Sequence, residues 1–260
     1  MATDHLVGRF PFGQISGRCE PRQVADADAL VLGVYPSAFH VRWSHPDYRV
    51  AALAVDQEPW PFWDGDDQDG RVAVWREAVG WKSAWGSATP AGRLNGSSGV
   101  VLRDTILGAL GIAKDRAWLT DAVPFFHVHR GPGTQGAAMS DRYDEFARSH
   151  GLLVHQLPKR PPPDALIRYA IDNEGNRLRA EIAQSRAPLV ITLGNEALAV
   201  AAAVLRADLP EFLSHDSSYG LRHPVHIDGR SIEVLALVHP GQRAAVWTGA
   251  HDRWRAAIGR

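Results

Sequence analysis

Residues Ala29–Tyr35 read ALVLGVY and are followed at once by Pro36 and Ser37. Three other runs share this apolar pattern and also end at a polar residue or a turn: Ala117–Val123 (AWLTDAV), Leu189–Gly194 (LVITLG) and Ile232–His239 (IEVLALVH). Runs of about four to eight apolar residues are typical of strands that are buried on both faces of a parallel sheet. The four runs therefore predict a central, mainly four-stranded parallel sheet.

Helical patterns lie between these runs. Leu102, Ile106 and Leu110 share one face of Val100–Leu110, and a second pattern covers Leu166–Arg186, with Gly175 as a point of interruption. Asn195–Leu205 is rich in alanine and begins with a capping residue directly after a predicted strand. Alternating strands and helices form right-handed crossovers that cover both faces of a sheet. We expect one α/β domain over residues 1–260, a three-layer α/β/α sandwich.

Composition limits the classes of protein to consider. The chain has 260 residues, 45% of them hydrophobic and 22% charged, which is ordinary for a globular protein. It has no apolar run of about 18 residues, and its start does not resemble a secretion signal, so we expect a cytoplasmic protein without a membrane span. The single cysteine, Cys19, permits neither an internal disulfide nor a cysteine-ligated cluster. The net charge of −1 by itself makes DNA an unexpected partner.

Two long segments separate the regular elements, Ser44–Ser98 and Phe125–Lys159. The first, with Trp43 just before it, holds six of the nine tryptophans: Trp43, Trp60, Trp63, Trp75, Trp81 and Trp85. Such a cluster either pins a long loop onto the core or forms a platform on which bases stack. Long loops in compact domains are often functional, and in open parallel sheets the working residues lie at the carboxyl ends of the strands.

The strand ends carry a recognisable series of motifs. In chain order these are Gly33-x-x-Pro36-Ser37, the glycine-rich stretch Ala91–Ile112, Thr120-Asp121-Ala122-Val123, Pro188–Ala197 ending in Leu-Gly-x-x-Ala, and His239-Pro240. Their order and spacing over residues 29–245 resemble the uracil-DNA glycosylase superfamily. The resemblance implies a DNA partner, a nucleotide flipped out of the duplex, and hydrolysis of its N-glycosidic bond without a cofactor.

The chain departs from the family pattern in two ways. The four cysteines of the iron–sulfur branch are absent, which indicates a divergent branch. Tyr35 stands where other branches carry an aspartate or asparagine that activates water. This second departure keeps open the alternative of a catalytically inactive DNA-binding module with the same fold.

The resemblance assigns roles to individual residues. His239 would donate a hydrogen bond to the departing base, and Tyr35, Phe62 and Trp63 would contact the base. The DNA phosphates would be bound by the residues that follow two of the strands or open the glycine-rich helix: Ser37, Asn95, Gly96, Ser97, Ser98, Gln242 and Arg243. Free N–H groups at the start of a helix suit an anion.

Asp121 stands where the family carries the asparagine that reads uracil. An ionised carboxylate only accepts hydrogen bonds, so it suits the amino group of cytosine. We therefore predict a cytosine-type base. Combined with the tryptophan cluster as a stacking platform, Asp121 leads us to predict a bulky, modified cytosine, such as a hydroxymethylated or glucosylated cytosine of phage DNA, with a role in antiviral defence. Excision of uracil or hypoxanthine in repair is the alternative.

The water-activating residue is harder to assign. Asp64 is our first candidate, because it follows the aromatic residues Phe62 and Trp63; Glu58 and Asp56 are the alternatives. The acidic run around Asp64 also fits a solvated loop.

Other chemistries have weaker support in the sequence. None of the three lysines lies in a motif, so we expect no Schiff base and therefore simple hydrolysis. His127-x-His129 lacks a third ligand at helical spacing, and we predict no metal site. Nothing in the sequence indicates a protein partner.

Overall fold

The computed structural model describes residues 7–129, 134–210, 219–242 and 244–258. Its strands, in chain order, are β1 (Gly8–Arg9), β2 (Ile15–Ser16), β3 (Ala29–Gly33), β4 (Ala38–Ser44), β5 (Arg49–Gln57), β6 (Ser87–Pro90), β7 (Ala117–Asp121), β8 (Leu189–Leu193), β9 (Arg222–Ile227) and β10 (Arg230–Leu237). Its α-helices are α1 (Gln68–Ala78), α2 (Ser97–Val101), α3 (Gln135–Ala138), α4 (Asp144–Ser149), α5 (Pro163–Tyr169), α6 (Gly175–Ser185), α7 (Asn195–Leu205) and α8 (Ala245–Ile258).

The central sheet has the strand order β7-β3-β8-β10-β9. Strands β7, β3, β8 and β10 are parallel, and β9 adds an antiparallel edge next to β10. The predicted parallel sheet is therefore confirmed, and all four predicted strands belong to it. Its parallel strands all end at the same edge, which places the motif residues that follow them close together.

Helices cover both faces of this sheet. Leu30 and Leu32 of β3 pack in a cluster with residues of α5, α6 and α7, such as Ile182. The alternate residue Val31 packs in another cluster with Ile106 and with residues of α8. The alternation follows the two-residue period of a strand. The three-layer α/β/α architecture is thus confirmed.

Two strands of a second sheet, β5 and β6, lie in the segment that the sequence led us to interpret as a long loop, and its third strand, β4, ends where that segment begins. Strands β5-β4-β6 form an antiparallel sheet, and α1 lies between β5 and β6 in the chain. The expectation of a loop over Ser44–Ser98 was wrong, because the turns and tryptophans of this segment masked strands that are only partly apolar. Phe12 is the centre of the associated core, with its ring 4.9 Å from that of Trp81 and 5.5 Å from that of Trp85.

The helical predictions differ from the structure mainly at π-helical turns. The pattern at Val100–Leu110 becomes α2 followed by a π-helix over Leu102–Leu107. The pattern at Leu166–Arg186 becomes α5, a π-helix over Ala170–Glu174 and α6. The predicted helix Asn195–Leu205 has the same bounds as α7. Of the helices in the part of the chain that is described, none has the length and apolar character needed to cross a bilayer.

Candidate active site

A cavity of about 630 Å³ opens at the carboxyl ends of the central strands. The residues after β3, β7, β8 and β10 line it together with the residue after β5. The lining residues that carry polar or aromatic side chains are Tyr35, Ser37, Glu58, Phe62, Ser98, Asp121, Phe126, His127, His129, Arg160, Glu196, His239 and Gln242. Of the predicted site residues, the cavity therefore brings together Tyr35, Ser37, Phe62, Ser98, Asp121, His239 and Gln242.

Gly33 allows the side of the cavity lined by Asp121 and Phe62 to form. A Cβ atom at this position would overlap the carboxyl oxygen Oδ1 of Asp121 and the ring of Phe62. The ends of β3 and β7 are held together by backbone hydrogen bonds, from Ala122 N–H to the carbonyl oxygen of Gly33 (3.0 Å) among others. Glycine is thus required here because the side chains of Asp121 and Phe62 occupy the space beside the strand.

Asp121 is 3% exposed and lines the cavity, but no described residue donates a hydrogen bond to its carboxyl group. Burial raises its pKa from 3.8 to about 8, the charge of Arg177 opposes this rise, and Glu181 adds to it. Arg177 itself is held by Glu181 (2.7 Å), and it donates to the backbone carbonyl of Asp121 (2.8 Å). The carboxyl of Asp121 is therefore neutral at pH 7, although the sequence led us to treat it as an ionised acceptor.

Glu58 is a second buried carboxyl group in the same cavity. It is 5% exposed, and the backbone N–H of Ser37 donates to it. Burial and the nearby Asp121 raise the pKa of Glu58 well above its ordinary value. Burial disfavours the charged form of a carboxyl group, and a second carboxyl group in the same cavity disfavours it further, so both effects raise the pKa of Glu58.

His239 presents a single defined donor. The backbone N–H of Gly241 donates to Nδ1 of His239 over 3.0 Å, so Nδ1 carries no proton and the neutral ring carries its proton on Nε2. Burial lowers the pKa of His239, against the opposing charge of Glu196. The ring lies 6.2 Å from that of Phe62. His239 therefore presents a neutral imidazole donor to the cavity, and its role towards a base stays a prediction.

Asp64, the first candidate for water activation, does not line the cavity. Its carboxylate is bound by Lys114 Nζ (2.8 Å) and by Arg103 Nη1 (3.0 Å). Burial raises its pKa, but the hydrogen bond and charge of Lys114 outweigh burial, so the net pKa is below its ordinary value. Asp56, one of the two alternatives, also lies outside the lining, whereas Glu58 lies within it. The structure thus moves the candidate water-binding role from Asp64 to Glu58.

The predicted base contact of Trp63 is also corrected. Trp63 is fully buried in the core around the second sheet, 5.9 Å from the ring of Phe39, because the chain turns at Phe62 and sends the two side chains in different directions. None of the six tryptophans of the cluster lines the cavity. The tryptophans pack the core around the second sheet. They do not form a platform for stacking bases in this cavity.

The predicted phosphate-binding residues of the glycine-rich stretch separate into two groups. Asn95 is 4% exposed and clamps the backbone of His40, accepting from its N–H (2.8 Å) and donating to its carbonyl (2.9 Å), so its side chain is not available to DNA. Gly96 is buried, and it lies so close to the backbone of Asp64 that a Cβ atom at this position would overlap it. Ser97 is exposed and Ser98 lines the cavity, so a phosphate-binding role for these two serines stays a prediction.

The loop after β10 contributes one further predicted residue. Gln242 lines the cavity, and its side-chain oxygen accepts the N–H of Ala244 (3.0 Å). Arg243, the other predicted phosphate contact of this loop, lies outside the described residues.

The sequence did not identify a polar wall on the other side of the cavity. Tyr35 donates or accepts a hydrogen bond with Nε2 of His129 (2.8 Å), and the guanidinium of Arg160 lies 5.7 Å from the Tyr35 ring. Arg160 forms an ion pair with Glu196 (2.7 Å), and His127 completes the wall. The HVH stretch and the long segment around it were the only signals of this wall in the sequence. They did not reveal its contact with Arg160, because that contact joins residues far apart in the chain.

This wall is not arranged as a metal centre. Within the residues that the structure describes, no group of three histidine, cysteine, aspartate or glutamate side chains is placed to hold a metal ion. Burial, followed by the charge of Arg160, lowers the pKa of His127 to about 4 and also lowers that of His129. Both rings are therefore neutral hydrogen-bonding groups at pH 7.

Comparison with known proteins agrees with this geometry. A family model described as the uracil DNA glycosylase superfamily matches residues 84–258 of the 260-residue chain. The matched region contains Asp121, Glu196 and His239 and begins after Gly33 and Phe62. A search of curated proteins found no match to the chain.

Proposed function

Because the chain belongs to the uracil-DNA glycosylase superfamily, we propose that it hydrolyses the N-glycosidic bond of a nucleotide flipped out of DNA. The family supports a DNA glycosylase type of function in general. The observation that carries the proposal is the convergence of Phe62, Asp121 and His239 in one cavity at the strand ends. A flipped base is typically recognised by stacking and by hydrogen bonds to its edge, and these three side chains supply both.

The protonation of Asp121 decides how the base is read. A neutral carboxyl group both donates and accepts a hydrogen bond. It can accept from the N4 amino group of cytosine while donating to N3, and it can equally accept from N3–H of uracil while donating to O4. Hydrogen bonding to a neutral Asp121 therefore leaves both bases open, whereas an ionised Asp121 would have favoured cytosine.

Proton transfer favours a cytosine. Cytosine has a lone pair on N3, so a proton passed from Asp121 to N3 makes the base a better leaving group as the C1′–N1 bond breaks. Uracil carries a hydrogen on N3 and leaves with its charge stabilised only by donors such as Nε2–H of His239. An acid whose pKa is raised to about 8 is protonated at neutral pH and still able to release its proton. We therefore favour a cytosine over uracil, and a modified cytosine remains our predicted substrate.

The remaining steps follow from the neighbouring residues. The electron pair of the broken bond leaves with the base, and water adds to C1′ of the cationic sugar. Glu58 is our candidate for holding that water, because it lies in the same cavity as Asp121. The water that has added to C1′ then releases a proton to the solvent, and an abasic site remains. Asp121 takes up a proton from the solvent and returns to its starting state.

An oligonucleotide panel tests the proposal. Duplex and single-stranded substrates each carry one uracil, hypoxanthine, 5-hydroxymethylcytosine or glucosylated 5-hydroxymethylcytosine, and strand breaks are scored after alkali. We expect breaks at a modified cytosine with wild type, and their loss in Asp121→Asn, which keeps both hydrogen-bonding groups but has no acidic proton to give. If Asp121→Asn cleaves the same bases at the same rates, proton transfer from Asp121 is wrong.

Uracil excision is the second candidate, because a neutral Asp121 can hydrogen-bond to uracil as well as to cytosine. In that case Asp121→Asn retains activity on uracil, because an amide presents the same donor and acceptor as a neutral carboxyl group. Retained DNA binding without breaks at any base would instead support an inactive binding module, the alternative motivated by Tyr35.

A further inference from the structure

The polar wall of the cavity, Tyr35, His127, His129, Arg160 and Glu196, has no task in the proposed reaction. Its backbone is nevertheless fixed by hydrogen bonds. Val128 N–H donates to the carbonyl of Pro158 (2.9 Å), and Arg160 N–H donates to the carbonyl of Val128 (3.0 Å). These backbone bonds set the side chains of His127, His129 and Arg160 beside one another at the cavity.

His127 is the most informative residue of this wall. It is 2% exposed, yet neither ring nitrogen has a hydrogen-bond partner among the described residues. A buried polar group without a hydrogen-bond partner is destabilising, so a ligand that pairs with it binds more tightly. Buried orphan groups that line a cavity are the ones that a ligand can satisfy.

The space around His127 exceeds what a base needs. A second cavity, of about 400 Å³, adjoins the first at His127 and is lined also by Lys159, Ala165 and Tyr169, whose buried hydroxyl likewise has no partner among the described residues. Cavities of about 300–1,000 Å³ typically enclose ligands of drug size, and a pyrimidine ring is far smaller. The two cavities share His127 as a wall, and together they offer room for a base and for a bulky group attached to it.

The charges of this region indicate what kind of group fits. The cation of Arg160 is already paired with Glu196 at 2.7 Å, the two histidines are neutral, and Lys159 at the second cavity is exposed to solvent, so water hydrates its charge. Glu196 would repel an anion such as a phosphate, and Arg160 would repel a cation. Hydroxyl groups carry no charge and both donate and accept hydrogen bonds, which matches a wall of paired charges, a phenol and imidazoles.

We propose, on the premise that the cavity takes a flipped base, that His127 and the polar wall bind a neutral, hydroxyl-rich substituent of that base, a sugar. The base itself lies between Phe62, Asp121 and His239. The substituent extends past His127 into the second cavity, towards Tyr169. A base without the substituent would leave His127 unpaired and would bind more weakly.

Two variants test the site. His127→Phe keeps a planar ring but removes both nitrogens, and Ala165→Phe fills the second cavity from the exposed face of α5. Matched controls are His150→Phe and Ala183→Phe, at exposed positions outside both cavities. The probes are 2′-deoxycytidine and its 5-(glucosyloxymethyl) derivative, whose binding is measured by calorimetry and by saturation-transfer NMR.

We expect wild type and both controls to prefer the glucosylated nucleoside by about tenfold, the equivalent of one well-made hydrogen bond. His127→Phe and Ala165→Phe should lose this preference, and the glucose protons should lose their NMR contact with the protein. Equal binding of the two nucleosides by wild type, or an unchanged preference in both variants, would overturn the proposal.

The binding readout separates this inference from the proposed reaction. A preference for the glucosylated nucleoside without any strand break would leave the sugar site standing and refute the glycosylase activity. Breaks at bases that lack the sugar, with equal binding of both nucleosides, would refute the sugar site and leave the glycosylase activity standing.

Discussion

Replacing Asp121 by asparagine removes a titrating group from the cavity while keeping the shape of its side chain. In the folded protein the pKa of Asp121 is raised from its ordinary value of 3.8 to about 8, chiefly by burial. Between these pH values the unfolded chain releases this proton and the folded chain keeps it. The free energy of unfolding of wild type therefore falls with rising pH in this window, relative to the variant.

The size of the effect follows from the shift. One unit of pKa corresponds to about 1.36 kcal/mol. As the pH rises from 4 to 8, the free energy of unfolding of the variant should therefore increase relative to that of wild type by up to about 6 kcal/mol. Above pH 8 the difference should stay constant. Urea denaturation of both proteins from pH 4 to pH 9 measures this, with the exposed Asp141→Asn as the matched control. A difference that does not change with pH would mean that Asp121 is ionised in the folded protein and has no proton to give to a base.

Three further perturbations address the site. Gly33→Ala places a methyl group against Asp121 and Phe62, and overpacking of this kind costs about 1–3 kcal/mol. Urea denaturation should show this loss in the free energy of unfolding, and calorimetry should show weaker nucleoside binding. Arg177→Met leaves the buried Glu181 without its cation, whereas Glu174 keeps its pair with Arg18, so a loss of about 3–5 kcal/mol in the free energy of unfolding is expected; an unchanged free energy of unfolding would contradict a stabilising role for this ion pair. Borohydride should trap no protein–DNA adduct; a trapped adduct would identify a lysine nucleophile.

The fold was largely predictable because its strands are buried on both faces. Leu189–Leu193 and Ala29–Gly33 are continuous apolar runs, too short for a buried helix and each bounded by turn residues, which leaves a fully buried strand. The antiparallel sheet was not predictable in the same way. In β5 (Arg49–Gln57) buried and exposed positions do not alternate regularly, and the pairing of β4 with β5 contains register irregularities that break the two-residue period.

The site was most predictable at the carboxyl ends of the central strands. Asp121 and His239 lie at the ends of β7 and β10, so the parallel sheet brings them together. Glu58 and Arg160 reach the cavity from the second sheet and from a long connection, and no short-range signal places them there. Asp64 and Trp63 were predicted in the site but lie outside the cavity. The chain turns at Phe62, where φ is +58°, so residues that are neighbours in sequence point in different directions.

The burial of Asp121 connects stability with the proposed chemistry. Removing its carboxyl from water is what raises its pKa, and the same removal destabilises the fold at neutral pH because the unfolded chain ionises freely. If that proton is the one given to the base, Asp121→Asn must be more stable than wild type and less active on cytosine. The activity of wild type must also fall as the pH rises through about 8, since an ionised Asp121 has no proton to give and adds a negative charge beside Glu58. A variant that gained stability and kept its rate on cytosine would show that burial of this carboxyl serves recognition of the base rather than its departure.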